Sequence, residues 1–158
     1  MKKKDYFLLT ASILISLSAG AIGSVFTVTG PDSWYAGVAK PAFNPPNWIF
    51  GPVWTALFIL MGVALFLVWR QGWHKIEVKA AIKYFFIQLG FNIVWSYFFF
   101  GLSNPRLAFL EIIALWLAIV AAMTAFYKVD RRASWLLWPY LAWVSFAAFL
   151  NYTIWQLN

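Results

Sequence analysis

The sequence predicts an all-α membrane protein, a single domain over residues 1–158 built as a five-transmembrane-helix bundle, and three observations carry that prediction. Of its 158 residues, 63% are hydrophobic and only 11% charged, with a mean hydropathy of +0.74. Soluble domains run nearer half apolar and a quarter charged, so a water-soluble fold of this size could not cover so much apolar surface. The few charges are spaced so that the runs between them exceed the ~20 residues an α-helix needs to cross a bilayer. The basic residues also fall overwhelmingly on one side of those runs.

Each span follows from a charge-poor run. Asp5 and Asp32 enclose 26 uncharged residues, Lys40 and Arg70 enclose 29, and Lys83 and Arg106 enclose 22. They predict helices near residues 6–28, 49–69 and 81–101. Arg106 and Lys128 enclose 21 residues with the single charge Glu111, and nothing after Arg132 is charged. These runs predict helices near 107–127 and 135–156. The first run follows Lys2, Lys3 and Lys4 and contains small residues, as a signal peptide does; its length, well beyond a 7–15 residue apolar core, favours an uncleaved helix.

With five spans, one membrane face carries Lys2, Lys3, Lys4, Arg70, Lys75, Lys79, Lys83, Lys128, Arg131 and Arg132, against only Lys40 and Arg106 on the other. Ten against two predicts a multi-pass protein of the cell membrane with a cytoplasmic N-terminus and an external C-terminus. The net charge of +7 is thereby explained by topology, and no nucleic-acid partner is expected.

Residues 28–48 form the one long connection. Pro31, Pro41, Pro45 and Pro46 stiffen it, and Trp34, Tyr35, Phe43 and Trp48 give it apolar weight. Such a segment reads as a lid, with Trp34 and Tyr35 as its lid residues, or as an aromatic belt at headgroup level, the better reading for Trp48.

Polar residues within spans are informative because a buried amide in hydrocarbon must find a partner or line a cavity. Gln88, Asn92, Trp95 and Phe99 share one helical face of the third span. Trp54, Phe58, Met61 and Leu65 share a face of the second, and Tyr140, Trp143, Ala147 and Asn151 a face of the fifth. Three aromatic stripes with a few amides are consistent with ordinary packing faces or with a common ligand-holding interior. On the first span Ser12, Ser16, Gly20 and Ser24 recur every four residues, a small-residue pattern that serves close helix packing. Glu111, a turn and a half from Arg106, reads as a structural carboxylate near a helix end rather than a proton relay.

Several chemistries are excluded. There is no Cys and a single His, His74, so thiolate or multi-histidine metal sites and a Ser-His-Asp triad are unavailable. No metal and no resident cofactor are expected. A tetrapyrrole held here would be gripped by apolar contact and stacking, which favours a metal-free porphyrin.

The motifs are specific enough to name a resemblance. Trp34-Tyr35, Lys40-Pro41, Asn44-Pro45-Pro46-Asn47-Trp48 and Gly51-Pro52-Val53-Trp54-Thr55 resemble the TspO/MBR family, the tryptophan-rich sensory proteins related to the translocator protein. Gln88-Leu89 with Asn92 and Trp95, Phe99-Phe100-Gly101, Pro139-Tyr140-Leu141-Ala142-Trp143 and Leu150-Asn151-Tyr152 agree with it, so the likeness covers nearly the whole chain. It implies a five-helix bundle, usually a homodimer, that binds porphyrins and isoquinoline carboxamide or benzodiazepine ligands beneath the first loop. It implies ligand contact at Trp54, Phe58, Trp95, Trp143 and Ala147, positions that lie on the three stripes. Trp34, Tyr35, Pro46, Gln88, Asn92, Tyr140 and Asn151 complete the candidate binding set.

Some bacterial members also promote light- and oxygen-dependent breakdown of protoporphyrin. Indole is the most oxidisable side chain present, so Trp54 and Trp143 are the candidate catalytic residues, with the porphyrin as ligand or substrate. The expected function is a tetrapyrrole-binding sensor or scavenger; a porphyrin carrier and a regulatory membrane partner without catalysis are the alternatives. Two departures from the family pattern stand out. Phe43 replaces a Trp common in relatives, and no Lys or Arg follows Tyr152, so the sterol-recognition pattern of animal members is incomplete.

Overall fold

The computed structural model describes residues 3–158, and Lys2, one of the basic residues counted for topology, lies outside them. The elements are α1 (Lys3–Phe26), α2 (Trp34–Gly37), α3 (Asn47–Trp69), α4 (Ile76–Ser96), a π-helical turn (Tyr97–Gly101), α5 (Pro105–Val129), α6 (Arg131–Trp135) and α7 (Trp138–Leu157). Five stretches are long and apolar enough to cross a membrane: Lys3–Phe26, Asn47–Trp69, Ile76–Gly101, Pro105–Val129 and Arg131–Leu157.

The helix ends differ from the charge-run expectation for physical reasons. α1 stops at Phe26 rather than near 28, where the Thr27 hydroxyl donates to the Gly23 carbonyl and the chain tightens into a turn. α4 begins at Ile76, five residues before the expected start, because Lys79 and Lys83 sit on an outer face while Val78, Ala81 and Ile82 are buried. A charged residue on the outer face does not end a helix. The fifth span is broken in two. Asp130 caps α6 by accepting from the Arg132 amide at 2.9 Å, and Pro139 opens α7 within its first turn, where its missing N–H costs nothing.

α1 packs against α3 and α4, α4 against α5, and α5 against α7. α3 and α7 meet over only a short stretch, and the fifth span reaches α3 chiefly through α6. The helices therefore form a ring that α6 closes at one end and that is nearly open between α3 and α7 toward the other. At Gly62 of α3 the approach of α1 is so close that a Cβ would fall 2.6 Å from the Ile13 Cα.

Two apolar clusters fill the ring. The larger lies toward the end where the chain begins and includes Met61, Leu65 and Val68 of α3, Phe85 of α4, and Ile119 and Phe126 of α5. The smaller joins Tyr35 and Val38 of the first connection to Phe99, Ala108, Leu150 and Ile154. The outer surface is apolar too: Phe7, Val25, Ile76, Leu110, Leu117 and Phe149 are all exposed. Ser12, Ser16, Gln88, Asn92, Glu111 and Asn151 are buried instead. Polar groups inside and aliphatic groups outside is the arrangement that hydrocarbon solvent selects and water does not. Trp48 at one end of the bundle and Trp73, Trp135 and Trp138 at the other are more than half exposed, as rings of interfacial belts are.

Candidate functional site

Where α3 and α7 part, a cavity of about 540 Å³ opens between α1, α3, α4 and α7, beneath the first connection. That is ample for a drug-sized or cofactor-sized ligand, for which sites span roughly 300–1,000 Å³.

Helical periodicity builds its walls. Phe50, Trp54 and Phe58 recur every four residues along α3, and Trp54 stacks on Phe58 with ring centres 5.6 Å apart. From α4 come Asn92 and Trp95, continued by Phe99 and Phe100 of the π-helical turn; Trp95 stacks on Phe99 at 5.1 Å. Phe99 and Phe100 meet edge to face with ring centres 4.8 Å apart, and both reach the cavity. α7 contributes Trp143, Ala147, Leu150 and Asn151, and Trp143 meets the edge of Phe50 at 6.0 Å.

Hydrogen bonds behind the wall fix its orientation. Trp95 donates its indole N–H to Asn151 Oδ1 at 3.0 Å, and Asn151 Nδ2 donates to the Pro105 carbonyl at 2.7 Å. Asn92 Nδ2 donates to the Tyr140 hydroxyl at 3.0 Å. The amides are thus tied into the bundle. Among the described residues the wall carries no Asp, Glu, Lys, Arg or His.

Of the candidate binding residues, Tyr35, Trp54, Phe58, Asn92, Trp95, Trp143, Ala147 and Asn151 come together on this wall. Four others stand apart from it. Tyr140 is buried behind Trp54, ring edge to face at 6.2 Å. Gln88 is buried a turn deeper on α4, its Nε2 near the Met61 sulfur at 3.9 Å and its Oε1 without a partner. Trp34 packs edge-on against Phe99 at 5.6 Å, behind the wall. Pro46 is exposed and precedes α3. The sequence stripes extend beyond the cavity because the same helical face continues into the packed core.

The small residues of α1 are the part of the wall that sequence reasoning assigned to packing alone. Leu17, Gly20, Ala21, Gly23 and Ser24 line the cavity. Of the four-residue pattern Ser12, Ser16, Gly20 and Ser24, only Gly20 and Ser24 reach the wall. Gly20 admits the Phe58 ring, whose Cε2 would lie 2.5 Å from an added Cβ, and Ala21 and Gly23 beside them leave space unfilled. Glu111 is off the wall and buried, and neither carboxylate oxygen has a partner among the described residues. It stands a turn and a half into α5, near the helix end where the sequence placed it. No cluster of metal-ligating residues occurs among the described residues.

The first connection seats on the cavity through Tyr35, which is 4% exposed and touches the edges of Phe99 and Phe100. Its hydroxyl donates to Asn44 Oδ1 at 3.2 Å, and burial pushes that hydroxyl above the ordinary phenol range. Lys40 lies over the same ring, Nζ 4.5 Å from its centre, and donates to the Val38 carbonyl at 3.1 Å. Asn158, just past α7, clasps the segment: its Oδ1 accepts from the Ala39 N–H and its Nδ2 donates to the Ala39 carbonyl, both at 3.0 Å.

Comparison with known proteins agrees with this architecture. The family model described as "TspO/MBR family" matches residues 12–156. The chain is 48% identical to the tryptophan-rich protein TspO of Archaeoglobus fulgidus, over 95% of this chain and 96% of that one. It is 49% identical to the protein of the same name from Chlorobaculum tepidum, over 98% of each. The human translocator protein is 36% identical over 87% of this chain and 82% of its own length. With five apolar helices and a family match over nearly its full length, this multi-pass membrane protein belongs to the TspO/MBR family.

Proposed function

We propose that the cavity binds a flat, largely apolar tetrapyrrole such as protoporphyrin, and that the protein acts as a membrane sensor or scavenger of that ligand. The observation that carries this reading is the wall itself. Trp54, Trp95 and Trp143, on three different helices, face one space of about 540 Å³ with no charged side chain around it. Rings of that size supply large contact area and offset or edge-on stacking to a planar ligand. The same surface suits isoquinoline carboxamide and benzodiazepine-type compounds.

The proposed photochemistry assigns electron donation to Trp54 or Trp143. In light, the indole gives one electron to the excited porphyrin, which passes it to dioxygen as superoxide. The oxidised indole then recovers an electron from the porphyrin, and the porphyrin cation so formed combines with superoxide, so that dioxygen ends in the macrocycle and the tryptophan is restored. Trp95 is held in the wall by its N–H donating to Asn151 Oδ1. The protein is proposed to lie in the cell membrane with a cytoplasmic N-terminus, as the basic residues favour, and to form a homodimer.

Titration with protoporphyrin in the dark tests the binding. Tryptophan fluorescence should quench saturably, and lack of saturable quenching refutes the reading. Illumination of the loaded protein then separates a catalyst from a passive binder. Cysteines introduced at positions 2 and 158 should label from opposite membrane faces, and crosslinking in bilayers that yields only monomer refutes the dimer.

A further inference from the structure

We propose that Lys40 is the carboxylate-recognising residue of the cavity, holding an acidic edge of the ligand at the mouth while the rest of the ring enters. The inference rests on the tetrapyrrole reading above. Protoporphyrin carries two propionates on one edge of an otherwise apolar ring. The cavity wall offers no cation, and an unpaired carboxylate buried there would cost far more than stacking returns. The propionates must therefore stay at the mouth.

Two cations lie at this end of the bundle, Lys40 and Arg106. The Arg106 guanidinium lies 6.0 Å from the Trp155 ring, in an aromatic group with Phe109 that is not part of the cavity wall. Lys40 sits instead over Tyr35, a ring that belongs to the wall. It is half-buried, and its one recorded hydrogen bond, to the Val38 carbonyl, leaves two ammonium protons for an anion. No carboxylate pairs with it among the described residues. Its backbone is fixed on both sides: before it, Val38 is buried in the smaller apolar cluster and both polar groups of Ala39 are bound by Asn158; after it, the Pro41 carbonyl accepts from the Asn44 N–H at 3.0 Å. A half-buried ammonium, held in place and lacking a counter-charge, is arranged for an anionic group that arrives with the ligand.

The test compares protoporphyrin diacid with its dimethyl ester, which keeps the ring and removes the charge, by dark fluorescence titration in wild type, Lys40→Gln and Lys40→Arg. Loss of a charge-assisted hydrogen bond should weaken diacid binding to Lys40→Gln about tenfold or more. The ester should bind that variant within about twofold of wild type, the direct Lys40 contribution being absent. Lys40→Arg should restore the diacid. Equal losses for diacid and ester would make Lys40 only a strut of the loop and overturn the proposal, as would no loss for either. If wild type binds neither porphyrin, the tetrapyrrole reading itself falls, a result distinct from a Lys40 variant that discriminates wrongly.

Discussion

The same helices build a closed end and an open end of this bundle. Toward the start of α4, Val78, Ala81 and Phe85 are sealed against Met61, Leu65 and Val68 of α3 and Ile119 and Phe126 of α5. Toward its other end, Trp95, Phe99 and Phe100 look across empty space at Trp54 and Trp143. Composition explains the difference. The closed end alternates large with small residues, such as Phe85 beside Ala81 and Ala122 beside Phe126, so facing layers interdigitate. The open end sets large rings against one another, fixes Trp95 and Tyr35 by hydrogen bonds, and places Gly20, Ala21 and Gly23 opposite, where little can fill the gap. Dense packing and open volume are thus allotted to different halves of one fold.

That division can be broken most severely at Phe85, which is fully buried and stacked on Phe126 at 5.9 Å. Phe85→Ala should lower stability by about 3–5 kcal/mol, read as a large drop in melting temperature in detergent or bilayer. A negligible drop would mean that the closed end does not bear the stability. In the open half, Ala147→Leu adds bulk to a wall that a ligand must contact. It should weaken binding by about 1–3 kcal/mol while leaving melting of the empty protein nearly unchanged and the photochemistry of whatever still binds unaltered.

Trp54→Phe and Trp143→Phe should each reduce affinity by only about 1 kcal/mol, since most apolar contact survives. Photodegradation should fall much further. Light-driven loss of bound porphyrin at the wild-type rate in the double variant would remove the electron-donor role. The smallest effect sharpens the contrast through two helical glycines. A methyl at Gly90 of α4 meets nothing within 4 Å, whereas one at Gly62 of α3 strikes the α1 backbone. Gly90→Ala should raise stability slightly, by roughly 0.5–1 kcal/mol from helix entropy, and Gly62→Ala should lower it. Equal effects of the same sign would deny that α1 and α3 are in backbone contact at Gly62.

Much of this was legible in the sequence because hydrocarbon is an unforgiving solvent. A charge inside a span is costly, so uncharged runs located all five helices to within a few residues, and helical spacing aligned Trp54 with Phe58, Asn92 with Trp95, and Trp143 with Ala147. The family resemblance then joined those stripes into one interior. What escaped has a physical cause in each case. The π turn depends on local hydrogen-bond slippage that no residue type announces. The α1 wall is made by absence of side-chain volume, and small residues read equally as close packing. The Asn158–Ala39 clasp joins residues 119 positions apart, and nothing near either one marks the pairing. Gln88 and Tyr140 share those helical faces but lie off the cavity wall, since periodicity fixes direction around a helix and not where along it a cavity gives way to packed core.

The near-open seam between α3 and α7 also makes the ring a linkage device. If the proposed ligand occupies the cavity, it bridges Phe50 and Trp54 on one side and Trp143 and Ala147 on the other, and so reinforces a seam that the chain itself closes only through ring contacts such as Phe50 with Trp143 and Trp54 with Tyr140. Its binding free energy then becomes part of the folding free energy. At a free ligand concentration one hundred times Kd, mass action adds about 2.7 kcal/mol to the folded state, on a scale comparable with a core side chain. The population of intact protein in a membrane would rise and fall with the supply of its ligand, so that abundance itself reports occupancy.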